Sequence, residues 1–243
     1  MLEQNPALYP LTDAETIVQL YLKRGDKTET IRHKLRRPTL AELLEREQQS
    51  VAEIEEVAPN EDAWHEDSQA ANAKLWDKVI LGVTGYRIGG QLRTSFVEVT
   101  PEIAAKIPLS HKHTAISGLY AAKCTVDSGV EEGFDLDGDS YTIRQTIGDE
   151  NDPSFVLTHT LRQPTEAELR DYNKRASTAT SVSGSRKRKI RVRTNLKADV
   201  ELYDKLATML FGATPPDPRG VDPILKRQVV QTLISSLNAS LLD

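Results

Sequence analysis

The chain of 243 residues is short of the features that mark several large classes of protein. Its single cysteine, Cys124, excludes an intramolecular disulfide and fits a reducing compartment or a particle indifferent to redox conditions. Four Phe, two Trp and two Met leave the cores to be built from Leu, Val, Ile and Ala. No apolar run approaches the ~18 residues of a membrane span, so no membrane is expected. The opening MLEQNPALYPLTDAET lacks the basic and apolar stretches of a secretory signal, which points to synthesis and retention in the cytoplasm. A formal net charge of −5 argues against a protein that coats nucleic acid over its whole surface.

Signatures of catalysis are missing as well. There is no G-x-S-x-G and no H-E-x-x-H, and GYRIGG at 85–90 lacks the spacing and the following Lys-Ser/Thr of a phosphate loop. Asp135, Asp137 and Asp139 have the one-three-five spacing of a calcium loop. That pattern fails at Ser140, where the turn needs Gly, and at Thr146, where a bidentate Glu is needed, so an acidic turn ahead of a hairpin is the better reading. His111 and His113 are two positions apart on an expected helix and point to different faces, with no further ligand nearby. His33 and His159 read as packing residues at hairpin ends, His65 as part of an acidic loop, and Cys124 as an inert thiol in an apolar helical stretch. The chain therefore reads as non-enzymatic, with no catalytic, cofactor-binding or metal-binding residues, no cofactor and no small-molecule substrate.

What is present is a repeat. LRRPTLAEL at 35–43 and LRQPTEAEL at 161–169 agree at seven of nine positions. Upstream, residues 16–34 and 140–160 each hold two segments around a Gly-Asp turn, Gly25-Asp26 and Gly148-Asp149, which predicts a β-hairpin in each copy. Downstream, KLWDKVILGVTGY (74–86) matches ELYDKLATMLFGA (201–213). Farther on, IPLSHKHTAISGL (107–119) matches DPILKRQVVQTLI (222–234), either with Pro108 opposite Pro223 or, one residue along, with Lys112 opposite Lys226.

The nine-letter block has a physical meaning as a strand-to-helix junction. Pro38 and Pro164 discourage regular structure on their N-terminal side. Thr39 with Glu42, and Thr165 with Glu168, form the T-x-x-E capping box, worth about 1 kcal/mol in each copy. The reading is an α+β fold of two tandem copies of a β-hairpin plus three-helix module, residues 1–128 and 129–243. Each copy runs hairpin, capped helix, longer helix, loop and terminal helix. Leu40, Leu43, Leu44, Val51 and Ile54 mark the first helix of copy one, and Leu75, Val79 and Val83 the second. Asp222-Pro223 starts the last helix of copy two. Copy one alone carries an inserted loop at 87–106, in which FVEVT suits a short strand and where a partner contact is expected.

The copies differ most in charge. After its first helix, copy one holds seven acidic residues in 52–68, among them Glu53, Glu55, Glu56, Glu61 and Asp62. Copy two has a Ser/Gly-rich link and then six basic residues in 186–193: Arg186, Lys187, Arg188, Lys189, Arg191 and Arg193. This run could bind phosphate backbone, meet the acidic segment of a neighbouring subunit, or form a solvated arm. Ile190 and Val192 alternate with the basic residues as in a strand, and the equivalent placement of opposite charges favours self-association by head-to-tail contacts.

The hairpin, the Arg-x-Pro-Thr strand exits (Arg36–Thr39 and Arg162–Thr165), the LYDKL helix (202–206), a Gly-containing turn and the Pro108-x-x-His111-Lys112 helix start together resemble small structural and tail-assembly proteins of tailed bacteriophages. The resemblance implies a virion or particle-assembly component (connector, tail, capsid or decoration) without an active site, whose partners are further copies or other particle proteins. The alternatives are a nucleic-acid-binding adaptor using 186–193, and a tail-assembly chaperone or host scaffold protein.

Overall fold

Residues along 15–22 and 31–36 alternate. Val18, Leu20, Ile31, His33 and Leu35 turn to one side and are buried, while Ile17, Gln19, Tyr21 and Arg32 face outward. The computed structural model describes residues 8–11, 15–24, 27–49, 53–55, 61–119, 122–126, 140–148, 153–176, 181–182, 187–190 and 195–239. In chain order its elements begin with β1 (Tyr9–Pro10), β2 (Glu15–Arg24), β3 (Lys27–Arg36), α1 (Leu40–Gln49), β4 (Glu53–Glu55), α2 (Glu61–Val79) and β5 (Ile80–Thr84). Next come β6 (Arg87–Ile88), β7 (Gln91–Leu92), β8 (Val97–Glu98), α3 (Pro101–Lys106), α4 (Leu109–Gly118) and β9 (Ala122–Val126). They continue as β10 (Ser140–Gly148), β11 (Pro153–Arg162), α5 (Glu166–Ala176), β12 (Ser181–Val182) and β13 (Lys187–Ile190). The last are α6 (Leu196–Leu206), β14 (Ala207–Phe211), β15 (Ala213–Thr214), a 3-10 turn at Pro218–Gly220 and α7 (Pro223–Ala239). The fold is mixed α and β, and no described helix is long and apolar enough to cross a membrane.

Two compact units result. The first comprises residues 14–119 and 179–194, and the second residues 1–13, 120–178 and 195–243. This division is discontinuous, where the sequence suggested one cut between 128 and 129. Early and late segments add themselves to a unit built mainly from elsewhere in the chain, and a linear reading has no signal for that.

In the first unit four antiparallel strands lie in the order β2-β3-β5-β8, with α1 against α2, α2 against α4, and α4 on β2. In the second, the order is β14-β11-β10-β9, with α5 against α6, α6 against α7, and α7 on β9 and β10. Both hold a hairpin, two helices, a strand and a closing helix in that order, but the first also carries β6, β7, β8 and α3 ahead of its closing helix, so the expected count of three helices is not met there. Even irregularities agree: the pairing slips between Lys34 and Leu35 in β3 and between Thr160 and Leu161 in β11.

The junction motif does more than cap. Thr39 N donates to Glu42 Oε2 at 2.9 Å while Glu42 N donates to Thr39 Oγ1 at 3.3 Å, and Thr165 and Glu168 repeat both bonds at the same distances. The Arg of the motif then clamps the same carboxylate with two parallel bonds, Arg36 to Glu42 at 2.9 and 2.5 Å and Arg162 to Glu168 at 2.9 and 2.6 Å. These guanidinium bonds, with the threonine bonds behind them, pull each carboxyl down to about 2. Pro38 and Pro164 are both buried beside these turns.

Five expectations need correction. The first helix ends at Gln49, so Ile54, expected on its apolar face, lies in strand β4 instead, and Val51 lies outside the described residues. The stripe Leu75, Val79, Val83 is buried throughout, but its helix stops at Val79, and Ile80–Thr84 is a strand against β3; Ala207–Phe211 does the same against β11. A short apolar run carries no period that separates helix from strand, and here the waiting sheet edge decides. The acidic stretch around His65 is not a loop but the first turns of α2. Cys124 sits in a strand, opposite Gln145 of β10, and burial pushes its thiol up to about 11. Finally, β13 pairs antiparallel with β4 within the first unit, so the basic and acidic segments meet inside one chain. FVEVT does contain a strand, β8, and α7 does start at Asp222-Pro223, with Ile224 N donating to Asp222 Oδ1 at 2.9 Å.

Candidate functional site

The strand β3 places His33 inward between Ile31 and Leu35, where it is fully buried. On the facing helix, Trp76 Nε1 donates to His33 Nδ1 at 2.8 Å. An indole can only donate, so Nδ1 accepts and the proton of the neutral ring resides on Nε2. Nε2 lies 3.0 Å from the Tyr86 hydroxyl, which in turn lies 3.0 Å from His111 Nδ1. The three bonds thus run in one direction, from Trp76 to His33 to Tyr86, and end on His111 as acceptor. Burial, and secondarily the facing His111, lower His33 to about 4, and burial raises Tyr86, so neither changes charge near neutrality. Burial also lowers His111. Lys112 braces the chain from behind, 4.8 Å over the Trp76 ring and 2.6 Å from Asp77.

Tyr86 and His111 open onto a cavity of about 890 Å³ in the first unit. Leu22, Ile31, Leu92 and Pro108 give it apolar walls, and Thr30, Thr84 and Thr94 add hydroxyl-bearing residues. Arg32, Arg87, Arg93 and Lys106 stand around it against one acid, Glu29. Among the described residues Arg87 and Arg93 have no carboxylate partner, and Arg93 Nε is buried without a hydrogen-bond acceptor. Much of this wall is the insertion at 87–106. Its β6–β7 hairpin turns on Gly89 and Gly90, both at positive φ, and Arg93 is held by its backbone to Gly85 and Tyr86. Positive charge, hydrogen-bond donors and an apolar floor are what holds an anionic ligand.

The equivalent place in the second unit is closed. His159 is also fully buried, and Nδ1 lies 2.8 Å from Tyr203 Oη, the counterpart of Trp76. The ring continues through Nε2 to Gln145 Oε1 at 3.1 Å, and Gln145 Nε2 donates to Leu225 O and to Gln228 Oε1. Burial lowers His159 to about 4. Lys226, bonded to Asp204 at 2.6 Å, matches Lys112 with Asp77, which settles the sequence alignment in favour of Lys112 opposite Lys226. Ala213 and Leu225 then stand where the first unit has Tyr86 and His111, and both are buried core residues.

The residues singled out by sequence lie away from this cavity. Lys187 and Lys189 face Glu55 and Glu53 across the β13–β4 ladder, with Arg188 opposite Ile54. Glu61 and Asp62 open α2, whereas Glu56, Arg186, Arg191 and Arg193 lie outside the described residues, as do Asp135, Asp137 and Asp139. His113 bonds Asn72 at 2.9 Å rather than joining His111, and among the described residues no three His, Cys, Asp or Glu side chains converge as for a metal ion. Sequence reasoning missed Trp76, Tyr86 and Arg93. The signal was there for Tyr86: the repeat sets it opposite Ala213, a polar-for-apolar exchange at an otherwise matched turn. No family model matches the chain, and no curated protein or solved structure matches it.

Proposed function

We propose that the protein is a non-enzymatic structural or assembly component of a phage or phage-like particle, built by copying one hairpin-plus-three-helix module and associating through repeated contacts between copies. The observation that carries this reading is a pair of open sheet edges, different in the two units. In the second unit β9 covers the outer edge of β10, but among the described residues the equivalent β2 has no strand beyond it. In the first unit β8 covers β5, but the equivalent β14 has none. Both open strands expose large apolar side chains: Ile17 (55 %) and Tyr21 (68 %) on β2, Met209 (50 %) and Phe211 (56 %) on β14. Unpaired strands with apolar faces are templates for pairing. Because the two edges are unlike, β2 of one copy meeting β14 of the next is a heterologous contact, which closes as a ring or propagates as a filament.

The acidic and basic segments were the expected head-to-tail contact. Since β4 and β13 pair within one chain, the contact passes to the edges instead. The same pairing sets Lys187 and Lys189 against Glu55 and Glu53, which disfavours the nucleic-acid adaptor. Sedimentation velocity on wild type, Ile17→Lys/Tyr21→Lys and Met209→Lys/Phe211→Lys tests the reading. Wild type should form higher assemblies at low and high salt, each variant alone should not, and the two variants mixed should stop at a pair through their one remaining good edge each. A wild-type chain monomeric at both salt concentrations overturns it.

A further inference from the structure

We propose that the cavity of the first unit is a docking groove for an extended acidic peptide segment of a partner protein. The second unit carries an occupant at the corresponding place: the chain's own strand β1. There β1 runs parallel to β15, with Tyr9 N donating to Gly212 O at 2.7 Å and Leu11 N donating to Thr214 O at 2.9 Å. The Tyr9 ring packs edge-on against Phe155 at 5.2 Å, and a Cβ placed on Gly220 would stand 3.3 Å from Leu11. Four positions that β1 touches have counterparts in the wall of the first unit's cavity. Gly212 corresponds to Gly85, Thr214 to Arg87, Phe155 to Glu29 and Gly220 to Lys106, and all four counterparts line it. The groove that one unit fills with a strand is therefore empty of described chain in the other.

The exchanges state what would fill it. A threonine and a glycine have become Arg87 and Lys106, and the insertion adds Arg93, whose buried Nε–H has no acceptor. A carboxylate beside Arg93 would satisfy that donor, since a buried unpaired donor is costly and a charged acceptor is the strongest remedy. Glu29 in place of Phe155 repels an acid at that end, so the segment is acidic near Arg87, Arg93 and Lys106 and uncharged opposite Glu29. A space of about 890 Å³ with apolar Leu22, Ile31 and Leu92 in its lining suits side chains as well as charge, which favours a peptide over a bare anion.

The test uses the full chain and a short fluorescein-labelled peptide alternating glutamate and leucine, read by fluorescence polarisation. Binding should weaken with salt, vanish when glutamine replaces glutamate, and fall at least ten-fold in Arg93→Gln. Lys106→Gln, at the exposed end of α3, should weaken binding several-fold with an unchanged melting curve, so a folding defect in Arg93→Gln leaves the proposal testable. Absence of binding, equal binding of the glutamine peptide, or full affinity in both variants overturns it. Inorganic phosphate that competes as well as unlabelled peptide overturns the peptide assignment in favour of a simple anion site. The proposal does not depend on self-association, since edge variants at Ile17 and Tyr21 should bind the peptide unchanged.

Discussion

His33 and His159 occupy equivalent strands, face equivalent aromatic donors and are equally buried, yet what lies beyond each ring differs. From His159 the hydrogen bonds run into glutamines and end on α7 inside a closed apolar core. From His33 they run through Tyr86 to His111 and reach a wall of Arg87, Arg93 and Lys106. Features common to both units, the aromatic–histidine bond, the Lys–Asp pair and the Arg-clamped capping box, are what the fold requires. Features of the first unit alone are what it adds, and they collect around one cavity.

The largest effect that tests the equivalence concerns the turn after the third sheet strand. Gly85 and Gly212 both adopt positive φ, and a Cβ on either would run into a carbonyl oxygen, Thr30 O or Val156 O. Gly212→Ala and Gly85→Ala should each destabilise by about 3 kcal/mol or more in urea unfolding, the strained backbone alone accounting for about 1–2 kcal/mol. A neutral Gly85→Ala beside a damaging Gly212→Ala would mean the first unit's turn moves freely, and the comparison would break there.

A middle-sized effect comes from pH. Both histidines stay neutral when folded down to about 4, against 6.5 for the unfolded chain. Between those values the unfolded state takes up the protons, so stability is complete above 6.5 and is lost as pH falls toward about 4. At 1.36 kcal/mol for each unit, each histidine contributes at most roughly 3 kcal/mol. Ring-proton NMR should show two histidines that do not titrate near neutrality, alongside a melting temperature that declines through this range. Normal titration of His33 with a shifted His159 would show water reaching the first unit's ring from the cavity.

The smallest effect should be equal in both units. Glu42→Gln and Glu168→Gln each remove the charge that Arg36 or Arg162 grips, at about 1 kcal/mol by analogy with other lost caps. Calorimetry of the double variant should give the sum to within about 0.5 kcal/mol, because the two sites share no partner. Their carboxyls, held to about 2 from 4.5, contribute above 4.5 and cease to contribute as pH falls toward 2. A clear difference between the two substitutions would show that Arg36, which also bonds Lys78 O, does a second job in the first unit.

Much of the architecture was legible in the order of residues. Alternation revealed both hairpins, and Thr-x-x-Glu revealed α1 and α5. Lys112 opposite Lys226 was visible as one of two alignments, and structure was needed to choose it, because the choice depends on which aspartate each lysine reaches across the fold. Val83 shows the limit from the other side: its burial was foreseen and its conformation was not. The site itself was nearly invisible, for His33, Trp76, Tyr86 and His111 come from four separate elements and none is unusual alone.

The amino-acid order by itself determined the caps and the hairpins, since each depends on groups within a short stretch of chain. Only the tertiary structure decided which strands meet, which sheet edges stay open, that the charged segments pair within the chain, and where a cavity remains. Those outcomes depend on long-range closure, where one partner satisfies a backbone edge or a buried donor only after the whole unit has packed.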